Sequence, residues 1–141
     1  GHVCTLGGLT MANVEAYEAS PAAFFLLKRT IASIGVDGTR VVLHNQALHT
    51  TDGTISFFVL PHTGSALNAS IVGRDSLSEL GEKIEITAVD FKSLLETHFN
   101  KPQHLLCAHN GKEFDFPFIA RRMIIHGISL PFKLNLFGKR Y

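Results

Sequence analysis

The sequence predicts that residues 1–141 form a single domain of the α/β or α+β class. Its sheet is expected to be mixed, partly antiparallel and flanked by helices. Two observations predict this class. Segments with apolar residues three and four positions apart, the spacing of a helix, occur together with short segments rich in β-branched and aromatic residues. In addition, no repeat, low-complexity tract or linker divides the chain, and its length suits one hydrophobic core.

The first predicted helix begins after Ser20, a favourable N-cap residue that is followed by Pro21. Gly35 is placed to end it, because glycine readily adopts the left-handed conformation found after helices. Apolar residues at helical spacing form its predicted buried face: Phe24, Leu27, Ile31 and Ile34.

Three strands are predicted next. Residues 39–43 and 55–60 are interpreted as an antiparallel pair joined by a loop, because each is apolar and β-branched and a turn sequence precedes each of them. Residues 83–89 alternate between apolar and polar side chains, which is typical of a half-buried strand. Its inward-facing residues would be Ile84, Ile86 and Ala88.

The C-terminal part of the chain reads as helix, strand and helix. From Asp90 onward the pattern becomes helical, with an apolar stripe that consists of Phe91, Leu94, Leu95 and Phe99. Residues 104–108 are predicted to form a short buried strand in which Cys107 packs as a small apolar residue. Residues 117–126 are predicted to form the last helix, because a proline begins the segment and a glycine follows it.

Composition narrows the classes of function. The net charge is +1 with neutral histidines, so a nucleic-acid partner would need a local basic patch rather than a general positive field. Apolar stretches such as residues 22–27 are too short to cross a membrane, so no membrane partner is expected. The first residues lack the pattern of a signal peptide, and Cys4 and Cys107 suggest neither a metal site nor a disulfide framework. We therefore expect a cytoplasmic protein.

Residues 104–119 carry the clearest indication of chemistry. A predicted apolar strand ends in the polar turn formed by residues 109–111, and the carboxylate of Asp115 follows just before Pro117, which can begin a helix. This order would place one carboxylate at the carboxyl end of a buried strand, where open α/β sheets usually bind their ligands.

This segment resembles the second exonuclease motif of the DnaQ-like (DEDD) 3′→5′ exonucleases, in particular a bacterial branch with the pattern AHNG-x-x-FD-x-P-[YF]-[IL]. The resemblance covers about residues 90–139. It implies a partly RNase H-like fold and hydrolysis of nucleic acid with Mg²⁺ or Mn²⁺. By resemblance, Asp115 would be a catalytic residue and metal ligand, and Asn110 would hold the turn around the terminal nucleotide. Phe114 and Phe118 would support this site from the core.

The chain also departs from the family pattern. The first motif is an Asp-x-Glu pair on the opening strand, but residues 44–46 read His-Asn-Gln where we would expect it, and no Asp-x-Glu occurs elsewhere. The third motif, a His or Tyr followed by Asp, would come after residue 141. One carboxylate leaves two metal ions under-coordinated, so we do not expect this chain to be a competent exonuclease by itself.

Basic residues cluster near the motif and provide candidates for contacts with phosphates. Together with the turn residue, the candidate nucleic-acid-binding set is Asn110, Lys112, Arg121 and Arg122. A solvated helix surface explains the same basic residues without any ligand. Asp115 also has an explanation without any ligand. A carboxylate near the N-terminus of a helix interacts favourably with the positive end of the helix dipole.

Two functions therefore remain open. The first is an incomplete or degenerate DnaQ-like exonuclease that binds or hydrolyses single-stranded nucleic-acid ends with Mg²⁺ or Mn²⁺. The alternative is a non-enzymatic interaction or assembly module, which could form homo-oligomers, or an engineered chimera. In that case residues 1–89, whose origin we do not recognise, precede an exonuclease-derived segment formed by residues 90–141.

Overall fold

The computed structural model describes residues 12–35, 39–59, 82–108 and 111–134. Its strands are β1 (Val14–Tyr17), β2 (Val41–His44), β3 (Ala47–His49), β4 (Gly53–Val59) and β5 (Glu82–Asp90). Its α-helices are α1 (Pro21–Ser33), α2 (Phe91–Thr97) and α3 (Phe116–Ile125). A π-helical turn (Gly111–Asp115) leads into α3, and a 3₁₀ turn (Phe132–Leu134) follows it.

The predicted fold class is confirmed, because helices occur together with both parallel and antiparallel strands. The chain forms two compact units, which we call the first unit (up to Val89) and the second unit (from Asp90). Two further points stay predictions: that residues 1–141 form a single domain, and that residues 1–89 and 90–141 differ in origin. None of the helices in the described ranges is long and apolar enough to cross a membrane.

The first unit begins with a β–α–β arrangement. Strands β1 and β2 pair in parallel, from Val14 opposite Val41 to Tyr17 opposite His44, and α1 connects them. The sequence analysis missed β1, and its antiparallel pairing of residues 39–43 with residues 55–60 is wrong. The connecting helix is the physical reason, because a helical crossover returns the chain in the same direction and produces a parallel pair.

Helix α1 begins as predicted. The Ser20 side chain accepts a hydrogen bond from the Ala23 backbone N–H at 3.4 Å, and Pro21 occupies the first helical turn. Gly35, with φ of 66°, follows the end of the helix. The predicted apolar face is only partly buried: Ile31 is buried, Phe24 and Leu27 are half-buried, and Ile34 is exposed.

A second sheet of the first unit has the order β3–β5–β4. Strand β4 pairs antiparallel with β5, from Gly53 opposite Ala88 to Val59 opposite Glu82. The alternation predicted for residues 83–89 is confirmed, since Ile86 and Ala88 are buried while Glu85 and Thr87 are exposed. These two side chains pack with two others into one core cluster, which consists of Ala47, Phe57, Ile86 and Ala88.

The second unit has its own core. Helix α2 begins at Asp90, whose Oδ1 accepts a hydrogen bond from the Ser93 backbone N–H at 3.1 Å. Its Leu95 packs with Met123 of α3 and with Leu134, which is completely buried. Helical spacing in the sequence therefore predicted α2 and its buried side, whereas the flanking proline and glycine predicted α3.

The predicted strand at residues 104–108 is wrong. This segment is irregular, Leu105 is 87% exposed, and Cys107 is exposed rather than packed inside. Only Leu106 among its leucines packs against the core of the second unit. The described part of this unit contains no strand that could pair with the segment. Apolar residues with high β-propensity form a strand chiefly when neighbouring strands are present, which explains the difference.

Candidate nucleic-acid interface

Asp115 occupies a different context from the one that the sequence predicted. It ends the π-helical turn and directly precedes α3, so it does not follow a buried strand. Its backbone is already helical, with φ of −62° and ψ of −50°, and its half-buried side chain makes no capping hydrogen bond to α3. An N-cap residue normally has an extended backbone that brings its side chain over the first turn, which explains the difference.

The described residues do not fit a two-metal centre. Within them, no group of three or more histidine, cysteine, aspartate or glutamate side chains is placed to hold a metal ion. A two-metal site needs several oxygen donors around Asp115. A hydrolytic step through metal therefore has no support in this part of the chain, and the expected Mg²⁺ or Mn²⁺ stays a prediction.

The predicted nucleic-acid-binding residues divide into two groups. Asn110 and the side chain of Lys112 lie outside the described part of the chain. Arg121 and Arg122 are both exposed on α3. Arg122 Nη2 donates a hydrogen bond to Nε2 of His126 at 3.0 Å, which keeps this guanidinium along the C-terminal end of the helix.

Phe114 and Phe118 do not support a site from the core, and this prediction is wrong. Phe114 is 60% exposed and Phe118 is 51% exposed. Their rings stack with centroids 5.9 Å apart and an interplanar angle of 13°. The reason is helical periodicity: residues four apart share a face, while Ala120 and Met123 occupy the opposite, buried side of α3.

One face of the second unit therefore combines exposed aromatic and cationic groups. We call it the Phe–Arg face, and it consists of Phe114, Phe118, Arg121, Arg122 and Ile125. Phe118 lies four residues after Phe114, and each arginine lies three or four residues from Phe118 and from Ile125, so these residues line one side of the helix. Glu113 is an exposed acidic neighbour of this face. Exposed aromatic rings beside guanidinium groups can stack on unpaired bases and contact phosphates.

The structure also brings together a cluster in the first unit that the sequence analysis did not find. The Tyr17 hydroxyl donates a hydrogen bond to Glu15 Oε2 at 3.2 Å, and Nε2 of His44 lies 3.1 Å from the same oxygen. The Tyr17 and His44 rings stack at 4.4 Å. Burial, followed by the charge and hydrogen bond of Glu15, raises the pKa of Tyr17 to about 12.

This cluster results from strand register. The parallel pairing sets Tyr17 opposite His44, and Glu15 lies two residues earlier on the same face of β1. Next to it, Asn45 Nδ2 donates to the backbone oxygens of Glu18 and Ala19 at 2.8 and 3.3 Å. These contacts join the loop after β1 to the end of β2. The alternation of Glu15, Ala16 and Tyr17 was a signal for β1 that sequence reasoning could have used.

Comparisons of the chain with known protein families, with curated proteins and with solved structures give no match. The resemblance of residues 90–139 to DnaQ-like exonucleases, and a partly RNase H-like fold, therefore stay predictions.

Proposed function

We propose that this protein binds single-stranded nucleic acid through the Phe–Arg face of its second unit, as a degenerate DnaQ-like exonuclease segment. The observation that supports this proposal best is the exposed, stacked pair of Phe114 and Phe118, which lies on the same side of α3 as two exposed arginines. The resemblance of the surrounding sequence to an exonuclease motif points to the same class of ligand.

The physical argument rests on two kinds of contact. An unpaired base that stacks on an aromatic side chain contributes about 1–3 kcal/mol, largely independently of sequence. A guanidinium group binds phosphate oxygens with two parallel hydrogen bonds. The described residues place two arginines, Arg121 and Arg122, on this face. For two phosphate contacts, the logarithm of the binding constant should fall with the logarithm of the salt concentration with a slope of about −1.4.

Binding is tested by fluorescence anisotropy with a labelled oligothymidine and the full chain. Phe118→Ala should weaken binding by about tenfold, because a stacking surface is lost. The matched control is Phe132→Ala, which removes a 72% exposed phenylalanine of the same unit that lies off this face. An equal effect of the two substitutions, or no binding by the wild type, would refute the proposed interface.

Hydrolysis is a separate question with its own experiment. Degradation of a labelled single strand is measured with Mn²⁺ and with Mg²⁺ for the wild type and for Asp115→Ala. A rate that depends on both metal and Asp115 would support a catalytic role for this residue, whose further metal ligands would come from outside the described residues. Equal rates for the two proteins would exclude Asp115 from catalysis.

The second candidate function is assembly. Several large apolar side chains of the second unit are more than half exposed: Leu105, Phe114, Phe118, Ile124, Ile125 and Phe132. Large exposed apolar patches commonly mark protein interfaces. The molar mass in solution distinguishes the two candidates, since a stable oligomer that binds no oligothymidine would favour assembly.

A further inference from the structure

Helix α1 of the first unit leaves several large apolar side chains exposed. It has 13 residues, of which only Ile31 is buried. Phe25 is 58% exposed, Leu26 is 53% exposed, and Ile34, at the end of the helix, is 49% exposed. We call this surface the outer face of α1, and it includes Phe25, Leu26, Arg29, Thr30 and Ser33.

The charge of α1 has one sign. The helix contains no aspartate or glutamate, and its two charged residues are Lys28 and Arg29, both of them exposed. Each cation lies over the ring of the phenylalanine four residues earlier: Lys28 Nζ is 5.8 Å from the Phe24 centroid, and the Arg29 guanidinium carbon is 5.8 Å from the Phe25 centroid. The positive charge is therefore held next to apolar surface rather than away from it.

A shallow depression lies on this face. Its volume is about 290 Å³, and Leu26, Arg29, Thr30 and Ser33 line it. The Thr30 hydroxyl donates to the Leu26 backbone oxygen at 2.8 Å, and the Ser33 hydroxyl donates to the Thr30 backbone oxygen at 2.9 Å. Because both hydroxyl protons are used, Arg29 supplies the charged donor in the depression. An apolar side chain beside a carboxylate matches this lining.

We propose that the outer face of α1 docks an acidic amphipathic segment of a partner protein, whose apolar side chain enters the depression and whose carboxylate pairs with Arg29. Charge complementarity selects this occupant. A second α1 from another copy would bring like charges together, since the helix carries two cations and no acidic residue. The phosphates of a nucleic acid would pair with the two cations, but the apolar side chains of Leu26 and Ile34 would stay exposed to water.

The experiment uses the full chain and two labelled peptides of about 14 residues, each with leucines at helical spacing. One peptide carries glutamates beside the leucines, and the other carries lysines at the same positions. Anisotropy should show binding of the glutamate peptide that weakens as salt is added. Arg29→Glu should weaken this binding by about tenfold and should strengthen binding of the lysine peptide. Leu26→Ser should weaken binding of the glutamate peptide without changing its dependence on salt.

Matched controls separate docking from damage to the fold. Lys83→Glu reverses an exposed charge elsewhere in the first unit, and Phe132→Ser introduces a polar residue at an exposed apolar position of the second unit. Both should leave the peptide affinity unchanged, and circular dichroism should show that every variant is folded. Equal affinity of the wild type for both peptides would overturn the proposal. Loss of oligothymidine binding in Arg29→Glu, without an effect on the glutamate peptide, would assign the face to nucleic acid instead.

Discussion

Helices α1 and α3 expose the same kinds of side chain but arrange them differently. On α1 each cation lies over the ring of a phenylalanine four residues earlier, so the aromatic surface is partly covered by the helix's own charge. Near α3 the two phenylalanine rings stack on each other, and Arg122 contacts His126 instead. Similar composition therefore produces two different surfaces, to which we propose different ligands: an acidic segment for α1 and unpaired bases for α3.

The two helices also begin differently. Helix α1 has an extended N-cap residue, Ser20, whose side chain bonds the first turn. Helix α3 continues from a π-helical turn, and Asp115 makes no capping bond to it. The two starts therefore differ in local geometry: a side chain caps α1, whereas the π-helical turn continues directly into α3.

The largest expected effect tests the assigned core of the second unit. Leu134→Ala removes a completely buried side chain from the core of the second unit and should lower the free energy of unfolding by about 2–5 kcal/mol. Leu105→Ala is the control, because Leu105 is 87% exposed. It should change stability by less than about 0.5 kcal/mol. Thermal unfolding monitored by circular dichroism measures both, and equal losses would contradict the assigned core.

A smaller effect tests the contrast between the two exposed faces. Phe114→Ala should weaken oligothymidine binding by about 1–3 kcal/mol. Phe25→Ala, which removes a ring of similar exposure from α1, should leave oligothymidine affinity unchanged. Anisotropy titrations measure both variants. If the two substitutions weaken binding equally, the difference in arrangement between the helices has no functional meaning.

The start of α1 provides a third test. Ser20→Ala removes the side-chain acceptor of the Ala23 N–H and should cost about 1 kcal/mol of folding free energy. Ser20→Asp retains an acceptor at the same position and should cost less. Urea denaturation of both variants measures this difference, and the same loss in each would show that the hydrogen bond does not stabilise the helix.

The last test concerns the dependence of stability on pH. The folded protein holds the Tyr17 proton more tightly than the unfolded chain, because the pKa rises from 10.0 to about 12. This stabilisation is complete below pH 10.0 and is lost as the pH rises toward about 12. Tyr17→Phe should therefore show a shallower loss of stability across this range in urea denaturation. Parallel curves for the two proteins would contradict the assigned environment of Tyr17.

Sequence reasoning succeeded where a local pattern was sufficient. Ser20 and Pro21 predicted the start of α1, and the alternation of Ile86, Thr87 and Ala88 predicted the buried face of β5. Both depend on capping and side-chain periodicity, which act over a few residues. The resemblance of the segment around Asp115 to an exonuclease motif is of a different kind and stays a prediction.

Pairing and exposure required the tertiary structure. The same β-branched character of residues 41–44 is compatible with an antiparallel or a parallel partner, and the crossover through α1 decides for the parallel one. Phe114 and Phe118 are large and apolar, which favours burial, yet both are exposed. The opposite side of α3 packs against the core of the second unit instead. For α3 the local pattern did not show which side packs, because large apolar residues occur on both sides of this helix.

The sequence by itself determined the start of α1, the apolar stripe of α2 and the alternation of β5. These features follow from interactions between residues close together in the chain. Only the tertiary structure decided that β1 pairs with β2 and that Glu15, Tyr17 and His44 meet. It also decided that the Phe–Arg face and the outer face of α1 remain exposed, because burial depends on contacts between residues distant in sequence.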